Sequence, residues 1–105
     1  MRPIPQKLRS DLSADPYYKS CCLCGSTLEI EWHHNLILAG RQSNEKETIL
    51  PLCKFHHEAA RKTEIKEVLD LIMLLRMEDT QIRKISKAVD YFRRKEYLKE
   101  KYSRN

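Results

Sequence analysis

All four cysteines and all four histidines of this 105-residue chain lie between positions 21 and 57. Two pairs share a gap of two residues: Cys21 and Cys24 in "CCLCG", and Cys53 and His56 in "CKFHH". Such a gap lets two side chains grip one ion. Three thiolates and one imidazole suit a closed, tetrahedral structural zinc site. Gly25 permits the tight turn after the first pair. A structural zinc contributes roughly 10–16 kcal/mol in small zinc peptides, at or above the total stability of a typical small domain. The ion would then decide whether this region folds. Two alternatives of register stay open: Cys22 in place of Cys21, and His57 in place of His56.

With Cys53 and His56 in the clip, His57 is left over. One step along a helix turns it about 100° away from His56, so it does not easily serve the same ion. The clip also draws "EWHHNLILAG" (31–40) toward the start of that helix. His33 and His34 can then meet His57 at a position separate from the zinc. Successive strand residues face opposite sides, so the two are equivalent only if the strand bends. The competing reading is a set of packing histidines in a small core.

The elements that must hold these groups are legible in outline. A chain of this length argues for one compact domain. Residues 1–16 carry three of the four prolines and read as an arm. Residues 17–63 carry the site. Within them "LEIEWHHNLIL" and "TILPLC" have strand character, with Pro51 marking an edge or a strand end, and "KFHHEAARK" opens a helix. Residues 64–105 hold no Gly, Pro, Cys or His and read as a helical hairpin. The first helix, 63–77, has Thr63 as its expected cap and an apolar stripe of Ile65, Val68, Leu69, Ile72 and Leu75. Leu71, Met73, Leu74 and Met77 carry apolar character further round the cylinder, so it needs cover on most sides. Asp79 or Thr80 caps the next helix, whose expected seam is Ile82, Ile85, Val89 and Phe92. A homodimer sharing helix 63–77 is the alternative to the hairpin.

Taken in order, "CCLCG … EWHHNLILAG … TILPLCKFHHEAA" resembles the HNH nuclease family, over roughly residues 17–62. The resemblance implies an α+β fold, a small ββα-metal core with a structural zinc site, followed here by the helical hairpin. It implies a DNA endonuclease that hydrolyses phosphodiester bonds, with single-strand nicking as its minimal activity. His33 falls where the family has a ligand to the catalytic divalent ion, His34 where it has the general base, and His57 where it has another ligand. Cys21, Cys24, Cys53 and His56 fall on the zinc knuckle, with His56 replacing a cysteine. The family's middle Asn is replaced by Thr48, and Asn44 could substitute as the brace of the base-bearing loop. Histidine ligation admits Mg²⁺, Mn²⁺, Ni²⁺ or Zn²⁺ as the catalytic ion. Free-standing members of this size occur in phage and bacterial genomes.

Charge adds a second hint. The net charge is +5, and the whole excess falls in residues 76–105, which hold 10 basic and 5 acidic side chains. Lys84, Lys87, Tyr91 and Arg94 recur at helical spacing, a pattern suited to a DNA backbone. A solvated helix face is the alternative. Arg41, Lys46, Arg61 and Lys62 are further candidates for DNA contact. No transmembrane span is expected and no secretory signal is visible, so an intracellular, cytoplasmic protein with reduced thiols is expected. Two other functions compete with the nuclease: a non-catalytic, zinc-stabilised nucleic-acid-binding module, and an interaction protein that docks its apolar helix on a partner.

Overall fold

The computed structural model describes residues 4–35, 46–84 and 88–103. Pro5 caps the first helix, α1 (Gln6–Ala14), where an arm was expected. A proline at a helix start forfeits nothing, since the first N–H groups have no partner within the helix. Leu12 of α1 is fully buried against Tyr18 and Ile49. A 3-10 turn, Pro16–Lys19, follows, with Asp15 accepting the Tyr17 N–H at 2.9 Å. The Tyr18 hydroxyl donates to the Lys46 carbonyl (2.7 Å) and accepts from Arg76 Nη1 (2.8 Å). The Arg76 guanidinium also lies 3.9 Å from the Tyr17 ring centre. The N-terminal segment is thereby tied to the helical half of the chain.

Strands β1 (Ile30–His34) and β2 (Ile49–Cys53) pair antiparallel in a two-stranded sheet. Glu31 stands opposite Leu52, His33 opposite Leu50 and His34 opposite Ile49. Every residue of β2 is buried. Pro51 is tolerated because both strands of such a sheet are edges. Helix α2 (Lys54–Ala59) begins directly after β2, with Cys53 as its N-cap residue. The expected order of strand, strand, helix is therefore present.

Three further helices follow: α3 (Thr63–Arg76), α4 (Asp79–Arg83) and α5 (Ala88–Ser103). Two expected caps are displaced by one residue. Lys62 holds the N-cap position of α3, and Glu78 caps α4 in a capping box with Gln81. Asp70 pairs with Arg94, and Glu67 pairs with Lys101. The partners run in opposite order, so α5 returns antiparallel to α3, as a helical hairpin requires. Among the described residues no helix is long and apolar enough to cross a membrane.

The hydrophobic core crosses the expected boundary at residue 63. One buried cluster joins Cys21, Leu50, Leu52 and Cys53 to Leu69, Met73, Leu74, Tyr91 and Leu98. The expected apolar seams are buried in part: Leu69 and Ile82 are fully buried, and Ile65, Ile72 and Phe92 pack against the core. Leu75 and Val89 are 57% and 62% exposed, while α3 buries Glu67 and Asp70 beside Leu69, Met73 and Leu74. Helix α5 buries Tyr91 and Leu98. The two carboxylates can lie inside because α5 brings cations to them, an arrangement a pattern of apolar residues does not register. Ile85 of the expected seam lies outside the described residues.

Candidate metal sites

The short loop before β1 is built to present sulfur. Gly25 takes a φ of +77°, a left-handed conformation that favours glycine. Its N–H bonds back to the Cys21 carbonyl at 2.9 Å. The Cys22 N–H reaches the Pro51 carbonyl, also at 2.9 Å, which pins the loop to β2. Cys53, at the end of β2, and His56, one turn into α2, complete the group.

The four ligand atoms of Cys21, Cys24, Cys53 and His56 all lie within 4.8 Å of one another. His56 Nδ1 is 3.6 Å from Cys21 Sγ and 3.3 Å from Cys53 Sγ, and Cys24 Sγ is 3.8 Å from Cys53 Sγ. Zinc–sulfur bonds of about 2.3 Å in a tetrahedron imply sulfur–sulfur edges of about 3.8 Å, so the spacing is compatible with a structural zinc site. None of the four cysteines is in a disulfide. The register expected from the spacing is the one that converges. Burial pushes the Cys21 thiol up, but hydrogen bonds from the backbone of Cys53, Leu23 and Cys24 outweigh it and bring it down to about 6. Cys22 instead turns into the protein, and burial, then Cys21, pushes its thiol up to about 11.

The remaining histidines lie around a cleft. This cleft of about 800 Å³ is lined by His33, His34 and His57, together with Glu31, Lys54 and Arg61. Glu58, Ala60 and Lys66 complete its wall. The His33 and His57 rings meet edge to face, with centroids 5.3 Å apart. His57 Nδ1 lies 2.9 Å from Glu31 Oε1. A carboxylate oxygen accepts, so Nδ1 donates. His33 is held down to about 4, by burial first and by His57 next. His34 is buried at 7% exposure, and burial also lowers its pKa. His33 and His34 are therefore poised as neutral bases near pH 7. Among the described residues, the group around Cys21 is the one cluster of three or more ligand atoms this close. The histidine cleft offers two facing rings instead.

Several residues around these sites were not singled out from the sequence. Asn35 is 2% exposed and donates from Nδ2 to Asp70 Oδ1 at 2.8 Å. Its backbone N–H reaches the Thr48 carbonyl at 2.9 Å. Thr48, expected as a brace, is itself buried, and it meets β1 through this main-chain bond. Asn44, the other expected brace, lies outside the described residues. A period-two reading of β1 would have put Glu31, His33 and Asn35 on one face, and that signal was available.

The expected DNA-binding face of the last helices needs correction. Tyr91 is 3% exposed and packs in the core. Arg94 is engaged by Asp70, with Nη2 at 3.2 Å and Nε at 3.3 Å from Oδ2. Lys84 is exposed at the end of α4, and Lys87 lies outside the described residues. Tyr91 and Arg94 therefore do not belong to one exposed row, since Tyr91 joins the core and the buried Asp70 of α3 engages Arg94. Lys46 is likewise paired, with Asp15 at 2.6 Å. The unexpected cations are Lys54 and Lys66, which line the cleft with Arg61.

No family model, curated protein or solved structure matches the chain.

Proposed function

We propose that this chain is a metal-dependent DNA endonuclease of the HNH kind, with a zinc-stapled ββα-metal core. One observation carries the reading: His33, His34 and His57 line one cleft beside a separate cluster of three cysteines and one histidine. A purely structural zinc module has no use for three further imidazoles on one wall.

The zinc clip, in this reading, holds the start of β1 and the start of α2 together. His33 and His57 hold a divalent ion. A ring centre sits about 3.2 Å from an ion bound through nitrogen, so two ligand rings at tetrahedral angles stand about 5 Å apart. The observed 5.3 Å suits that arrangement. Glu31 fixes the His57 tautomer so that Nε2 is presented to the ion, as carboxylates commonly do for ligand histidines. The ion, when bound, supplies charge neutralisation at the scissile phosphate. His34 takes the proton from the attacking water. Its pKa is lowered by burial, which keeps the base form available at neutral pH. Lys54 and Arg61 line the same cleft and would meet the phosphates on either side of the scissile bond.

The test is supercoiled plasmid incubated with the zinc-loaded protein and Mg²⁺, Mn²⁺ or Ni²⁺ in turn. The expected product is the nicked circle. His34→Ala should lower the rate by about 10²–10⁴-fold while zinc content and melting are retained. Plasmid that stays supercoiled with every ion, yet shifts on a gel with the protein, would replace this reading with the non-catalytic nucleic-acid-binding module.

A further inference from the structure

Asp70 is the most heavily committed carboxylate of the fold. It lies on α3 at 2% exposure. Lys66 bonds its Oδ1 from one turn earlier, and Arg94 of α5 bonds its Oδ2. The third partner is Asn35, which donates from Nδ2 to Oδ1 at 2.8 Å and reaches Met73 Sδ at 3.7 Å. Two cations already offset the one buried charge, so the Asn35 bond is not needed to neutralise it.

The same bond decides which way the Asn35 amide points. A carboxylate only accepts, so the Asn35 nitrogen must face Asp70 and the oxygen must face away. That oxygen, Oδ1, is buried and has no hydrogen-bond partner among the described residues. An unpaired buried carbonyl oxygen is costly to leave without a hydrogen bond, so it calls for a donor. Asn35 follows His33 by two positions, on the same face of the chain leaving β1. Lys66, the other group held by Asp70, lines the same cleft as His33.

We infer that Asp70 positions His33 through Asn35, so that the α3–α5 hairpin is a working part of the histidine site. Asn35 Oδ1 takes the proton-bearing ring nitrogen of His33 and leaves the other nitrogen bare toward the cleft. His57 is served in the same way by Glu31. The two facing imidazoles thus each have their own acceptor, one reached from β1 and the other from the helical half of the chain. Asp70 acts through Asn35 and Lys66 and does not itself touch the cleft. The inference rests on the reading of His33 as an ion ligand only for its consequence. The tautomer it fixes is measurable without any ion in the cleft.

The experiment uses zinc-loaded, full-length protein labelled with ¹⁵N-histidine. Long-range ¹H–¹⁵N correlation spectra at pH 7.5 report which ring nitrogen of His33 holds the proton. The wild type should show a single tautomer. Asn35→Ala and Asp70→Asn should each convert it to a mixture and weaken Mn²⁺ binding by about 10–100-fold, the usual effect of losing a partner behind a ligand. Zinc content and melting report folding in parallel. Should Asp70→Asn fail to fold with Lys66 and Arg94 left unmatched, Asn35→Ala decides alone. A folded Asn35→Ala with the wild-type tautomer and wild-type Mn²⁺ affinity overturns the inference. A tautomer that shifts in a protein that neither binds Mn²⁺ nor nicks plasmid supports the brace and removes the nuclease. Plasmid nicking that survives in both variants, with an unmoved tautomer, keeps the nuclease and removes the brace.

Discussion

Glu31 and His57 lie 26 residues apart in the sequence, yet Glu31 Oε1 and His57 Nδ1 are 2.9 Å apart. The pair spans the junction of β1 and α2. A surface contact of this kind contributes little to stability, so its value lies in orientation. Glu31→Gln should leave folding and zinc content unchanged, because the side chain is half exposed. It should weaken Mn²⁺ binding to the histidine cleft by about 10–100-fold and lower nicking in parallel. Calorimetric titration of the zinc-loaded protein measures the first. Affinity equal to wild type would mean that His57 is not held for an ion.

Cys24 is exposed, and an exposed side chain ordinarily changes stability by no more than about 0.5 kcal/mol when replaced. As a ligand it should behave otherwise. Cys24→Ala is expected to abolish the cooperative melting transition, since zinc contributes an amount comparable to the whole stability of a small domain. Treating the wild type with a strong chelator should do the same, and adding zinc back should restore the transition. Cys22→Ala, by contrast, should keep its zinc. Metal analysis beside circular dichroism separates the two variants.

How far could the sequence be read? The two-residue gaps around Cys21 and Cys53 identified the four groups that converge, because a closed metal site imposes a local spacing that any chain must obey. The strand–strand–helix order was equally legible. What failed were the faces of the helices. Counting apolar residues put Leu75 and Val89 inside, whereas the buried face of α3 includes Glu67 and Asp70. Their partners Arg94 and Lys101 sit more than twenty residues away on α5. No local pattern announces such pairing. For the same reason Arg94 was expected on a DNA-binding face and is found on a carboxylate. Asn35 was overlooked because its role depends on Asp70, a residue from the far half of the chain.

The shared core makes the helical half inseparable from the site. Leu98 of α5 is fully buried in the same cluster as Leu52 and Cys53. Leu98→Ala should cost about 2–5 kcal/mol, the usual loss on opening a cavity at a buried leucine. The loss should appear in one transition that releases zinc at the same temperature as it melts the helices. Two resolved transitions, with zinc retained through the first, would show that the helical half melts independently of the zinc-bearing half.

Acid should weaken the fold through His33. Its pKa is about 4 in the folded protein, lowered by burial and then by His57, against about 6.5 in an unfolded chain. Above pH 6.5 neither state binds the proton and the histidine has no effect on stability. Between 6.5 and 4 the unfolded chain takes up a proton that the folded protein refuses, so stability falls as pH falls. Below about 4 both states are protonated and the loss levels off, at up to roughly 3 kcal/mol. Protonation of the zinc ligands contributes a slope of the same sign, so the variant His33→Gln provides the reference. Urea unfolding at pH 7.5 and at pH 5 should show a smaller drop in the variant than in the wild type. An ion held by His33 would steepen the wild-type drop, since protons and metal compete for one lone pair. Repeating the pair of melts with Mn²⁺ should therefore widen the gap between the two proteins, and an identical pH dependence in both would show that His33 is not held neutral in the cleft.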